Sequence, residues 1–317
     1  GSGRGGPGSG GPGFGRPAPR DRRPPENRPE PIEILHDDDH VIVIVKPTGM
    51  ITAVERSRTA TALDRTRETL RQMKRRDTRV FPVHEIDTDA SGVLVFARTP
   101  ESAEALRRQF RSRKTDRMYE ALVEGEMPET DEPAITIRSR LGTNRRGVVE
   151  SIADADAAPT GEDKPRAAVT HMRRLKTGNG FTLVRLRAET DHPGQLRAHM
   201  SESGYPIAGD RAYSAQRREI PRLALHLTEV SFEHPVTRAK IRLSSPSPAG
   251  FRKSLGAGGT SADDDRAGSE GTPDRTLADH GSADHMRTAE GGSQPTHWDH
   301  VSEWYDNLLA DRGSDHH

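Results

Sequence analysis

Between residues 32 and 253 the apolar positions of this 317-residue chain recur with regular periods, and outside those bounds they do so again only near the C-terminal end. Glu33 to Leu35, then HVIVIV at 40–45, read as two strands parted by the turn-forming DDD, and KPTGM closes the second with a Pro-Gly turn signal. From Thr61 to Arg75 the period lengthens. Leu63, Thr66, Leu70 and Met73 fall along one helical face, with Thr59 or Thr61 as the N-cap. VLVFA at 93–97 reads as a buried strand, and Thr99 caps a helix that starts at Pro100 and buries Ala103, Leu106 and Phe110. MYEALVEG (118–125), ITIRS from 135, AVTHMRRL from 168, FTLVRLRAE from 181 and LALHLTEVSFEHP from 223 alternate with period two, as half-exposed strands do. QLRAHMSESG, 195–204, is a short helix closed by Gly204, and the polar stretch 142–164 a loop. So many alternating strands with few helices between them predict a single α+β domain over 32–253, built on a large mixed, mostly antiparallel sheet flanked by helices.

Composition separates the ends from this body. Residues 1–31 are mostly Gly, Pro and Arg with Phe14 as the one large apolar side chain, so a disordered basic arm is expected there, its opening GSG an appended scar or an internal cut. Residues 254–295 hold Gly, Ser, Asp and Thr and read as a disordered acidic linker. In 296–317 both tryptophans of the chain occur, and Val301, Trp304, Tyr305, Leu308 and Leu309 have helical spacing. The formal charge sums to zero, yet the arm has six Arg against three acids and the tail from Ser254 has 13 acids against four Arg. The body is therefore basic, which suits a polyanionic partner such as RNA; a solvated charged surface is the alternative. With no cysteine the chain makes no disulfide or thiolate metal site. No apolar run approaches the roughly 20 residues of a membrane span, so a soluble, cytoplasmic protein without a membrane partner is expected, and a monomer.

The candidate chemistry centres on HEIDTDASG, 84–92. Asp87 ends a run of turn-forming residues just ahead of a buried strand, where a rigid element can hold a nucleophile or general base; taken alone, such an aspartate is more often a turn residue bonding its own backbone. Asp87 with Glu85 or Asp89 also admits the paired carboxylates of a nucleoside or sugar hydrolase. Arg107, Arg108, Arg111, Arg113 and Lys114 gather at the end of the second helix, where they complement its dipole or touch phosphates. His84, His192, His199, His226 and His234 lack the spacing of a metal site, and no metal is expected.

Five motifs in order over nearly all of 32–253 resemble the RluA-type pseudouridine synthases, which isomerise uridine in ribosomal or transfer RNA. VIVIVKPTGM resembles the family's opening strand and turn, HEIDTDASGVLVFA its HRLDxxTSGLLL motif, and RMYEALVEG the strand bearing its active-site tyrosine. QLRAHMSESGYPIAGDRAY resembles QIRVHxxxxGHPIxGDxxY, and RLALHLTEVSFEHPVT the closing RLxLHAxxLxFxHPxT. The resemblance implies an RNA substrate and no cofactor. It implies that Asp87 is the nucleophile, Arg197 its ion-pair partner and Tyr119 the ring stacked on the base, with His84, Ser91, Gly92, His192, Gln195, Arg222, Leu223 and Leu225 around substrate and RNA. The sequence also departs from the family. Glu85 stands where HRLD has Arg, Ala90 where TSG has Thr, and TDHPGQ at 190–195 replaces TGRTHQ. Loss of two cations fits an enzyme with an altered RNA grip, or a catalytically impaired RNA-binding relative. The segment 297–317 is similar to the opening helix of some class I methyltransferase domains dependent on S-adenosylmethionine, which would make the chain a fragment of a fusion; a docking amphipathic peptide is the other reading.

Overall fold

The computed structural model describes residues 1–3, 31–54, 59–112, 114–129, 134–144, 147–152 and 165–256. Gly1–Glu30 separates as a unit from Pro31 onward, and the elements below all belong to the second unit. The expected arm, acidic linker and 296–317 segment lie outside the described residues, apart from 1–3, Pro31 and 254–256.

Eleven strands among the described residues form one sheet. In chain order they are β1 (Glu33–Asp37), β2 (Val41–Lys46), β3 (Phe81–Pro82), β4 (Ser91–Ala97), β5 (Asp116–Glu124), β6 (Ile135–Thr143), β7 (Val149–Ser151), β8 (Arg166–Gly178), β9 (Phe181–Ala188), β10 (Leu225–Glu233) and β11 (Lys240–Ser244). The helices are α1 (Ala62–Gln72), α2 (Pro100–Arg111), α3 (Gln195–Glu202) and α4 (Ala249–Lys253), with a 3₁₀ turn at Arg211–Tyr213. Spatial order is β1-β2-β4-β10-β5-β9-β8-β6-β7, with β3 on β4 and β11 on β10. Among these strands every pairing is antiparallel except β4 with β10, so the sheet is mixed and mostly antiparallel. β10 lies between β4 and β5, and no direct pairing joins those two strands.

Two apolar cores explain the unbroken apolar runs. Side chains alternate across a strand, so β2 and β4, covered on both faces, need apolar residues of both parities. Ile42, Ile44, Leu94 and Phe96 pack with Ala62, Leu63 and Leu70 of α1. Val41, Val43, Val93 and Val95 face the other way, into the larger core with Ala103, Leu106 and Phe110 of α2. Each buried side chain of this size contributes about 1.5–3 kcal/mol. Thr61 closes α1 with a capping box: its hydroxyl accepts the Asp64 N–H, and the Asp64 carboxylate accepts the Thr61 N–H. Thr99 Oγ1 accepts the Ser102 N–H at the start of α2, where Pro100 contributes no amide.

Three local expectations need correction. Met73 is the C-cap of α1 and is 56% exposed, because the helix stops a residue before it could turn inward. Inside the expected loop 142–164, Val149–Ser151 pairs with β6; the Val149 N–H also donates to the distant Tyr213 hydroxyl, a tertiary bond that so short a segment does not advertise. The packed region also extends past Lys253, since Leu255 is buried in the larger core. Among the described residues no helix is long and apolar enough to cross a membrane.

Candidate active site

The parallel crossing sets the geometry of the site. β10 meets β4 at just His226↔Ser91 and Leu227↔Gly92. Gly92 sits at φ +127°, and a Cβ there would lie 2.3 Å from the Leu227 carbonyl oxygen, so only glycine lets the strands close. Around this point the Arg222 guanidinium donates to Ser91 Oγ at 2.8 Å, and Ser91 Oγ lies 2.8 Å from His226 Nδ1. Burial, aided by Arg222, pushes His226 down to about 4, so the ring stays neutral beside Ser91.

The segment that enters β4 carries Asp87. Lys46, at the end of β2 and fully buried, ties that segment down: its ammonium donates to the carbonyls of Pro47 (3.1 Å), Met50 (2.6 Å) and Thr88 (2.9 Å). Burial lowers Lys46 to about 8, with Asp87 and Asp89 pulling the other way. The Asp87 carboxylate is one-quarter exposed at its side chain and lies 3.8 Å from Arg197 Nη1. It also accepts the N–H of Gly194, the left-handed N-cap of α3, where the helix dipole favours an anion. Burial is the largest influence on Asp87 and raises its pKa; Asp210 adds to the rise, whereas Arg197, Gly194 and Lys46 oppose it.

Arg197 is held by a stronger partner than Asp87. Its Nε and Nη2 donate to the two oxygens of Asp210 at 2.6 and 2.8 Å, a bidentate pair with a buried carboxylate. Its guanidinium also lies 4.7 Å from the Tyr213 ring centroid. Asp210 thus fixes the fork, and the remaining Nη1 faces Asp87.

These groups border a cavity of about 240 Å³. Of the residues singled out from the sequence, Asp87, Tyr119, His192, Gln195 and Leu225 line it, and Arg197 reaches Asp87 from α3. Tyr119 projects from β5; burial raises its hydroxyl well above the ordinary tyrosine range, so it stays protonated. Gln195 is buried, accepting from Thr190 Oγ1 and donating to the Val169 carbonyl and Thr170 Oγ1, and so shapes the wall. Glu85 and Ala90, where the sequence departs from the family motif, line it too, whereas His84, Ser91, Gly92, Arg222 and Leu223 do not. His84 is fully buried, stacked on Phe110 at 4.4 Å between centroids and accepting the Val95 N–H; burial drives it down to about 3, and it braces β4. Ser91, Gly92, Arg222 and Leu223 hold the strand crossing behind the cavity.

Three contributors had weak sequence signals. Asp210 lies within the quoted GYPIAGDRAY motif, Lys46 within VIVIVKPTGM, and neither spacing reveals its contact. The third is Arg117, buried and 2.7 Å from Asp191 Oδ2, where Asp191 is one of the residues of the divergent TDHPGQ stretch. The charged residues lining the cavity are all acidic, Glu85, Asp87 and Asp191, with His192 beside them.

Comparison with known proteins places this geometry in a wider set. Residues 40–202 match the family model described as RNA pseudouridylate synthase. The chain is 31% identical over 236 residues to ribosomal large subunit pseudouridine synthase D of Pseudomonas aeruginosa, covering 69% of each chain. It is 30% identical over 223 residues to the dual-specificity RNA pseudouridine synthase RluA of Pasteurella multocida, covering 68% of this chain and 93% of that protein. In fold it is similar to human RNA pseudouridylate synthase domain containing 4, with TM-score 0.56 and 21% identity over 70% of this chain and 91% of that one.

Proposed function

The chain belongs to the RNA pseudouridylate synthase family, and on that premise we propose that its body, residues 32–255, converts uridine to pseudouridine in ribosomal or transfer RNA with Asp87 as nucleophile. It is an RNA-modifying isomerase. In the overall change the bond from N1 of uracil to C1′ breaks and a bond from C5 to C1′ forms; the C5 hydrogen leaves as a proton and N1 gains one. Nothing is oxidised and no group leaves the nucleotide, so the balance calls for no cofactor.

The observation that carries the reading is the Asp87 carboxylate, 3.8 Å from Arg197 and bonded by the Gly194 N–H, on the wall of a cavity shared with Tyr119 and Leu225. Attack on the anomeric carbon or on the base needs the ionised carboxylate, which Arg197 and the start of α3 favour against burial. The uridine must leave its stack to reach a recessed carboxylate, and the Tyr119 ring with Leu225 supplies an apolar surface for the extruded base. A protonated Tyr119 hydroxyl can also pass a proton at the base during detachment and reattachment. Relatives whose names specify the ribosomal large subunit or tRNA support ribosomal and transfer RNA as the substrate classes.

The test is tritium release from unmodified ribosomal and transfer RNA transcripts labelled at C5 of uridine. Release by the full chain and background release by Asp87→Asn are expected. Equal background release by both proteins would refute the assignment.

A further inference from the structure

The cavity that receives the base is a poor place to hold phosphate, since its charged lining is acidic, yet the substrate is a polyanion. We propose that the RNA backbone is gripped by a groove on the segment after Asp210, built from Arg211, Arg217 and Arg218. The inference rests on RNA as the substrate class.

The groove encloses about 400 Å³, and Arg211, Arg217 and Arg218 are its charged lining residues, with no carboxylate among them. Arg211 and Arg218 are exposed. Its floor is prebuilt. The buried Glu124 carboxylate accepts the backbone N–H groups of Gln216 (2.9 Å) and Arg217 (2.8 Å), and the Ala215 N–H donates to the Asp210 carbonyl. Arg217 lies 4.1 Å over the Phe181 ring and donates to the Asn179 carbonyl, and Glu219 stands 3.4 Å from it. The backbone thus holds its shape while two guanidiniums face solvent, the preorganisation an anion site needs.

Position ties the groove to the chemistry. Gly209 and Arg211 flank Asp210, the residue that clamps Arg197, and Tyr213 follows against the Arg197 guanidinium. A Cβ at Gly209 would lie 2.0 Å from the Arg222 carbonyl oxygen, so the segment is pressed against the strand crossing behind the cavity. A strand whose extruded uridine enters the cavity can therefore lay neighbouring phosphates along this arginine row. Charge clusters elsewhere are different in kind. Arg185 and Arg242 line another recess, but there Glu120 and Glu229 pair with them at 3.5 and 2.8 Å. That recess, whose arginines are already paired with carboxylates, serves as a built-in control.

The experiment uses the full chain with a fluorescein-labelled stem-loop RNA bearing uridine in its loop, titrated by anisotropy across salt concentrations, beside tritium-release kinetics. Arg211→Ala with Arg218→Ala should raise Kd and KM about tenfold and leave kcat within about twofold, because these phosphate interactions persist from ground state to transition state. The slope of log Kd against log salt should fall by about 1.5, at ~0.7–0.9 for each phosphate no longer neutralised. Arg185→Ala with Arg242→Ala should change neither quantity. Wild-type Kd and salt slope in the groove variant, or equal losses in both variants, would overturn the proposal. Anisotropy keeps it separate from the catalytic assignment: a wild-type chain that binds RNA but releases no tritium would sink the nucleophile and leave the groove tested on its own terms. Loss of binding to an acidic peptide with RNA binding intact would assign the groove to a protein and refute the RNA reading.

Discussion

Lys46 offers a prediction whose sign and size follow from its surroundings. The unfolded chain keeps the ordinary lysine value of 10.5, whereas burial brings the folded value to about 8. Between those values the unfolded state binds more protons, so folding stability rises with pH across the window and is flat for this group on either side. At ~1.4 kcal/mol per pH unit, the gain over the window is about 3 kcal/mol. In Lys46→Met a side chain of similar length fills the site without a proton to lose. Urea denaturation of both proteins from pH 7 to 10.5 isolates the group, because every other titration is common to the two curves. The stability difference, wild type minus variant, should grow by about 3 kcal/mol between pH 8 and 10.5. Parallel curves would refute the picture of an ammonium forced into a dry site. The variant should also lose about ten- to a hundredfold in kcat, since the Thr88 carbonyl beside Asp87 loses its ammonium donor.

Other consequences can be checked with simpler measurements. Gly92→Ala should cost more than about 3 kcal/mol in urea, as the new Cβ meets the Leu227 carbonyl in a backbone conformation that L-residues avoid; an unchanged midpoint would show that β4 and β10 part easily. In single-turnover tritium release, activity should fall with acid through a midpoint above the ordinary aspartate value of 3.8, because burial raises Asp87 and only the carboxylate reacts; a midpoint at or below 3.8 would contradict that balance. Asp87→Asn should also melt no lower than wild type, since Arg197 keeps its bidentate Asp210 partner and a buried charge is removed. A drop of several degrees in its Tm would show that Asp87 supports the fold.

Much of the fold was legible because it depends on local periods. β2 and β4 declared themselves by apolar residues of both parities, α2 by Thr99 and Pro100, and β5, β8, β9 and β10 by alternation. The resemblance named Asp87, Tyr119 and Arg197, which the fold brings around one cavity although they are far apart in the chain. What escaped was partnership. Asp210 takes most of the Arg197 fork, Lys46 reaches the Thr88 carbonyl 42 residues ahead, and Arg117 meets Asp191 across the cavity wall. Such pairings are set by packing of distant elements and leave no periodic trace. His84 was misleading for a related reason: its motif pointed to substrate, while its ring serves the stacking of β4 on α2.

The place of β10 has a consequence for when the cavity can form. β4 and β5 do not touch as strands; each pairs with β10, which is made about a hundred residues after β5 begins. Pairing so distant in sequence is slow and waits on the closure of a long loop. Asp87 enters from the β4 side, whereas Tyr119 stands on β5 and Arg197 on α3. A growing chain therefore holds Asp87 and Tyr119 on separate, unregistered pieces until β10 inserts between them. The cavity that both residues line is thus completed only by a strand made late in the chain.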